Sequence, residues 1–334
     1  MQSERIEFQS LDQQMAVFGI HDGNIRIMED ALSVSIQTKD TYVAVSGECD
    51  RSVEVAAEAL RSLQRAYDCG ETINTDTVYR MLELAQEGGV EETLRAMADV
   101  VAITHRGQPI KCKTVGQKTY VKALRENTVV ISIGPAGTGK TFLAVAEAIN
   151  ELKRGEIERI IMSRPAIEAG EERLGFLPGD LAQKVDPYLR PLYDALNDIL
   201  GAEHVKKYQE RGVIEIAPLA YMRGRTLNRA RVIIDESQNA SLPTLKMALT
   251  RLGEGSRMVL TGDVTQIDLP RISDSGLEKC ASILHGVEDI AVVRLTNRDV
   301  IRHKLVRDIV KAFDKYEEKQ QDKKSRPAVG RRPK

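Results

Sequence analysis

The stretch Gly134-Pro135-Ala136-Gly137-Thr138-Gly139-Lys140-Thr141 fills every position of the pattern G-x-x-x-x-G-K-[ST]. Ahead of it, Thr128-Val129-Val130-Ile131-Ser132-Ile133 is an apolar run of strand length, and behind it Phe142-Leu143-Ala144-Val145-Ala146-Glu147-Ala148-Ile149 reads as a helix. In that setting glycines let backbone N–H groups close around phosphate oxygens, and the helix N-terminus adds partial positive charge. Gly134, Pro135, Ala136, Gly137, Thr138 and Gly139 form the expected cradle. Lys140 is expected to reach the β- and γ-phosphates of a nucleoside triphosphate, and Thr141 to offer its hydroxyl to Mg2+.

Around this loop, apolar runs of strand length alternate with helical patterns from about residue 120 to 310. The strands expected are Val129 to Ile133, Arg159 to Ser163, Val213 to Ala217, Arg231 to Asp235, Arg257 to Thr261 and Ala291 to Leu295. That alternation predicts an α/β fold, a parallel sheet with helices on both faces, whose chemistry gathers beyond the carboxyl ends of the strands.

Two of those ends carry acids or amides. Arg231-Val232-Ile233-Ile234-Asp235-Glu236 delivers a carboxylate pair, in which Asp235 is expected to hold Mg2+ through its water shell and Glu236 to polarise the attacking water. Met258-Val259-Leu260-Thr261 ends in Gly262-Asp263-Val264-Thr265-Gln266, and Gln266 is the candidate sensor of the γ-phosphate. Upstream, Gln117 in Thr114-Val115-Gly116-Gln117-Lys118 offers a side-chain amide for adenine. The guanine-selecting pattern N-K-x-D is absent, since Asn297-Arg298-Asp299 has the wrong residue and spacing, so ATP is the expected nucleotide.

Taken together, the D-E-x-Q and G-D-x-x-Q elements resemble the first motor domain of superfamily 1 helicases, which implies a RecA-like P-loop core. More closely, Arg164-Pro165-Ala166-Ile167-Glu168-Ala169-Gly170-Glu171, Leu174-Gly175-Phe176-Leu177-Pro178-Gly179-Asp180, Asp186-Pro187-Tyr188-Leu189-Arg190-Pro191-Leu192-Tyr193, Ala217-Pro218-Leu219-Ala220-Tyr221-Met222-Arg223-Gly224-Arg225-Thr226 and Asp299-Val300-Ile301-Arg302-His303-Lys304-Leu305-Val306 resemble the PhoH family. The resemblance covers about residues 110 to 312 densely. It implies a cytoplasmic ATP-binding protein with a helicase-like core, tied to RNA metabolism and to phosphate starvation. Some relatives carry a PIN nuclease domain; no such set of spaced acids is evident here, so a ribonuclease would be a partner. Ser237 stands where D-E-A-Q would place Ala, a change of small for small.

A monomeric helicase needs two motor domains, and a single core is evident, so a ring-like homo-oligomer is expected with an arginine supplied in trans. Arg223, Arg225, Arg298 and Arg302 are the candidates for that finger, each weighed against a structural or surface role. Single-stranded RNA is the expected partner, with Tyr188, Tyr193 and Tyr221 available for base stacking or for core packing.

Four segments are expected: a small α+β module over 1–70, a linker over 71–112 that is helical and then extended, the ATPase core over 113–312, and a basic, disordered tail over 313–334. The module reads as strand Arg5 to Phe8, helix Asn24 to Leu32, strands Val34 to Gln37 and Thr41 to Gly47 joined by Lys39-Asp40, and a helix from Ser52 to Ala66. In element order it resembles a KH-like RNA-binding fold. Its loop Phe18-Gly19-Ile20-His21-Asp22-Gly23-Asn24 separates the glycines by three residues where the KH clamp has two, which leaves RNA binding and protein contact both open.

Composition narrows the classes further. The 334 residues carry 48 basic and 49 acidic side chains, so a dedicated nucleic-acid coat is excluded and RNA contact has to be local. Cys49, Cys69, Cys112 and Cys280 are scattered, without C-x-x-C pairs or metal-ligand spacing, and read as free thiols in a reducing compartment. No secretory h-region or membrane-length apolar run is present, which points to the cytoplasm and away from the membrane.

Overall fold

The computed structural model describes residues 2–39, 42–165 and 181–302, with six positions between 305 and 316. Asp40, most of the first two PhoH-like strings from Ala166 to Asp180, and the basic tail beyond Tyr316 lie outside the described residues. The chain divides into two compact units, Met1–Val90 with Arg302–Lys334, and Glu91–Ile301.

The smaller unit begins with β1 (Gln2–Ile6), α1 (Leu11–Phe18), α2 (Gly23–Leu32), β2 (Val34–Thr38), β3 (Val43–Gly47), α3 (Asp50–Asp68) and α4 (Thr75–Glu87). Its antiparallel sheet has the order β1-β3-β2. The first strand lies earlier than the expected Arg5 to Phe8 because β1 pairs from Gln2 opposite Gly47 to Ile6 opposite Val43. Helix α1 was not foreseen. Ser10 caps it by accepting from the Gln13 amide, and buried Gln13 donates to Asp68 at 2.8 Å. A polar, glutamine-rich segment therefore forms a packed helix with only Val17 and Phe18 as buried apolar residues.

Residues 71–112, expected as a linker, contribute to both units. Val78, Met81 and Leu82 seat α4 against α3, while α5 (Val90–Met97) and the antiparallel pair β4 (Val100–Ile103) and β5 (Pro109–Lys111) lead into the larger unit.

The larger unit continues with α6 (Val115–Glu126), β6 (Val129–Ile133), α7 (Lys140–Arg154), β7 (Arg159–Arg164), α8 (Leu181–Leu200), α9 (Ala202–Glu210), β8 (Ile214–Pro218), β9 (Ala230–Ile234), α10 (Leu242–Leu249), β10 (Arg257–Gly262), α11 (Leu277–Leu284) and β11 (Ile290–Arg294). Its six strands are all parallel, in the order β11-β6-β10-β9-β7-β8. This is the parallel α/β sheet flanked by helices that the sequence led us to expect, and each strand starts and ends within one residue of its expected position.

Alternate residues of each central strand feed opposite cores. Val130, Ile160, Ile233 and Val259 pack with α6, α7, α8 and α9, whereas Ile131, Ile161, Val232 and Leu260 pack with α10 and α11. Burial on both faces is why these strands read as unbroken apolar runs. Among the described residues, no helix is long and apolar enough to cross a membrane.

Candidate active site

Strand order decides what meets the phosphate loop. β10 lies between β6 and β9, with Gly262 opposite Ile133 and Leu260 opposite Ile234. The carboxyl ends of β6 and β10 are thereby level and that of β9 lies two residues short, and the residues that follow each strand share one cleft of about 270 Å³. Lys140, Thr141, Asp235, Glu236, Asp263 and Gln266 all line it.

The loop leaves β6 at Gly134, whose amide donates to the Gly262 carbonyl at 3.1 Å. A Cβ there would lie 2.7 Å from Leu295 Cβ and 2.8 Å from its carbonyl oxygen, so only glycine fits. Gly137 (φ 82°) and Gly139 (φ 79°) take the left-handed backbone that folds the loop onto the start of α7. Inside the turn, the Lys140 ammonium donates to the Gly134 and Pro135 carbonyls at 2.6 and 2.8 Å. Thr138 Oγ1 donates to Pro135 O at 2.9 Å. Buried Tyr120 donates from below to the Lys140 carbonyl at 3.1 Å, and burial pushes its pKa up, which keeps the phenol a donor.

Thr141 Oγ1 donates to Asp235 Oδ1 at 2.6 Å, and Thr261 Oγ1 donates to the same oxygen at 2.7 Å. A hydroxyl and a nearly buried carboxylate converging on one point are hard oxygen donors of the kind Mg2+ takes, with few protein ligands and the rest from phosphate and water. Among the described residues there is no cluster of three or more His, Cys, Asp and Glu side chains suited to a metal held by protein alone.

Glu236 sits at φ 50° and ψ 39° in the left-handed region, which turns its side chain back over the cleft. Oε1 accepts from Arg164 Nη2 at 2.6 Å, and Oε2 accepts from the Gln238 amide. Gln238 is fully buried; its Nε2 also donates to the Gln266 carbonyl at 2.9 Å, and its Oε1 accepts from the Asp263 amide at 3.1 Å. Asp263 completes the circuit by accepting the Ala136 amide of the phosphate loop at 2.8 Å. Glu236, the loop that follows β10 and the phosphate loop are thus one hydrogen-bonded network.

Not every expected residue joins it in the expected way. Gln266 lines the cleft with an exposed side chain. Gln117 is buried, and its amide is spent on the loop: Nε2 donates to Thr138 O at 3.0 Å, and Oε1 accepts from the Lys113 amide at 2.7 Å. It braces the cradle from behind, and an adenine contact would require one of those bonds to be exchanged. Arg225 holds Glu215 through two bonds of 2.5 and 2.7 Å and lowers that acid's pKa, an ion pair rather than an open finger. Arg223, Arg298 and Arg302 are exposed. Tyr193 packs against the core, Tyr188 is half-buried, and Tyr221 is exposed.

Sequence reasoning assigned no role to Arg164, Tyr120, Thr261 or Asp263. Arg164 ends β7, and the pairing of Ser163 with Ile234 sets it beside Asp235. Nothing short of the strand order gives that neighbourhood. A larger cavity, about 530 Å³ and bounded by Thr128, Glu151 and Arg257, opens at the amino ends of the strands, away from these groups.

Residues 109–314, well over half of the chain, match the family model described as PhoH-like protein. The chain is 48% identical over 304 residues to a PhoH-like protein of Bacillus subtilis (strain 168), covering 91% of this chain and 95% of that one. It is 46% identical over 307 residues to a PhoH-like protein of Mycobacterium tuberculosis (strain ATCC 25618 / H37Rv), covering 92% and 86%. It is 37% identical over 277 residues to Protein PhoH of Escherichia coli (strain K12), covering 82% and 76%. Among solved structures, the Sulfolobus solfataricus SWI2/SNF2 ATPase core in complex with dsDNA aligns with a TM-score of 0.33 at 16% identity, over 54% of this chain and 43% of that one, so this chain spans less than half of that protein.

Proposed function

The chain belongs to the PhoH-like family, a nucleotide-binding protein of the ATPase type, and on that footing we propose that it hydrolyses ATP to ADP and phosphate, couples turnover to single-stranded RNA, and works as a homo-oligomer. One observation carries the hydrolytic part: the ammonium of Lys140, the Thr141–Asp235 oxygen pair and the Glu236 carboxylate converge on a single cleft at the end of the loop strand. Lys140 would trade its loop carbonyls for β- and γ-phosphate oxygens, and the α7 N-terminus would add its dipole. Thr141 and Asp235 would hold Mg2+, which when bound would neutralise charge on the phosphates. Glu236 takes the proton of the attacking water as the water oxygen bonds to the γ-phosphorus and ADP leaves. Through Gln238, the state of Glu236 is transmitted to Gln266 and Asp263, which makes the sensor loop the output of the site.

RNA coupling rests on family membership and on the helicase-like D-E-x-Q and G-D-x-x-Q pair. With 48 basic and 49 acidic side chains, the contact must be a local groove. The test is steady-state ATP hydrolysis with and without single-stranded RNA, with Lys140→Ala as blank and the particle mass followed during turnover. RNA stimulation that is lost in the variant, in particles larger than one chain, is the expected result. RNA-independent turnover by a monomer would overturn the coupling and the assembly.

A second reading is favoured by the smaller unit, where Leu11, Met15 and Ile20 are exposed beside the altered glycine loop. There ATP would switch a protein-binding surface and turnover would be slow. Unchanged RNA binding with altered protein partners in Glu236→Gln would select it.

A further inference from the structure

Two neighbouring carboxylates, Asp235 and Glu236, must stay side by side at the mouth of the cleft although their charges repel. Arg164 answers that need with one planar cation. Its Nη2 donates to Glu236 Oε1 at 2.6 Å and lies 3.4 Å from Asp235 Oδ2, while Nη1 donates to the Tyr188 carbonyl of α8 at 2.8 Å. The side chain is only 17% exposed, so solvent screens these contacts weakly. Gln238 grips the other oxygen of Glu236, so the carboxylate is held from both sides on a backbone already turned into the left-handed region.

We propose that Arg164 is a positioning residue for the hydrolytic step: a fork, anchored on the α8 backbone, that fixes the Glu236 carboxylate over the cleft and in register with Asp235. The inference rests on the ATPase reading above. Arg164 meets the cleft through Asp235 and Glu236, the two acids that line it. The guanidinium plane is needed because three acceptors lie in different directions, and an ammonium serves fewer of them at once.

The test is the kinetics of Arg164→Ala and Arg164→Lys, each also made in a Glu236→Gln background. Arg164→Ala is expected to lower kcat by about 10- to 100-fold, a part of the roughly 100- to 10,000-fold that a positioned general base contributes. KM for ATP should stay within about threefold, since a group acting only on the chemical step leaves ground-state binding intact. Arg164→Lys, which should melt with the wild type, is expected to recover part of the rate. In the Glu236→Gln background, Arg164→Ala should change the residual single-turnover rate by less than about twofold, because coupled groups are non-additive.

Full additivity in that background, a raised KM with unchanged kcat, or a wild-type rate in Arg164→Ala would each overturn the proposal while leaving the ATPase reading in place. Absence of any Lys140-dependent hydrolysis in the wild type would sink both.

Discussion

Glu236 adopts a backbone conformation that costs a non-glycine residue roughly 1–2 kcal/mol. Its two charge-assisted or amide contacts, from Arg164 and Gln238, hold it there, which is the pattern of strain kept where geometry matters. Residue-scale environment also sorts the thiols. Cys49 is exposed, and hydrogen bonding from the Ser52 backbone lowers its pKa, whereas burial raises Cys112 to about 11 and also raises Cys280. The thiolate is the reactive form. Timed alkylation of the native protein at neutral pH, read by peptide mass, should therefore label Cys49 first and leave Cys112 and Cys280 until unfolding. Equal labelling of buried and exposed thiols would contradict the burial described here.

At the scale of elements, a buried carboxylate ties the sheet to the helix that follows the phosphate loop. Glu151 on α7 is fully buried; it accepts from Arg231 Nε of β9 at 2.8 Å and from Arg257 Nη1 of β10 at 2.9 Å. Arg231, 1% exposed, also donates to the Leu124 carbonyl of α6 at 3.0 Å. Glu151→Ala leaves that guanidinium buried without its counter-charge, so a loss of about 3–5 kcal/mol is expected in denaturant unfolding of the larger unit. A loss below about 1 kcal/mol would show that the cation finds solvent instead.

The elements also show what a sequence discloses. The six parallel strands were legible because burial on both faces writes them as apolar runs, and the loop was legible because only glycines meet its backbone demands. Helix α1 was not, since Gln13 earns its burial through a bond to Asp68, 55 residues away. Nor were the contacts of Arg164 and Gln117, which follow from β7 lying beside β9 and from α6 packing behind the loop. Strand order and side-chain pairing are tertiary facts that no local pattern carries.

At the scale of the whole molecule, Lys140, Thr141, Asp235 and Glu236 share one cleft at the end of a single parallel sheet, and the proposed hydrolysis depends on all four acting there together. On the proposed reading, binding and chemistry separate at Glu236, whose carboxylate would polarise the attacking water while Lys140 and the loop would hold the phosphates. The most direct measurement is to incubate wild type and Glu236→Gln with labelled ATP and Mg2+ and to identify the nucleotide retained on each. Glu236→Gln should hold intact ATP with phosphate release slowed by about 100- to 10,000-fold, while the wild type yields ADP. Wild-type turnover in Glu236→Gln, or no retained nucleotide on either protein, would contradict the account.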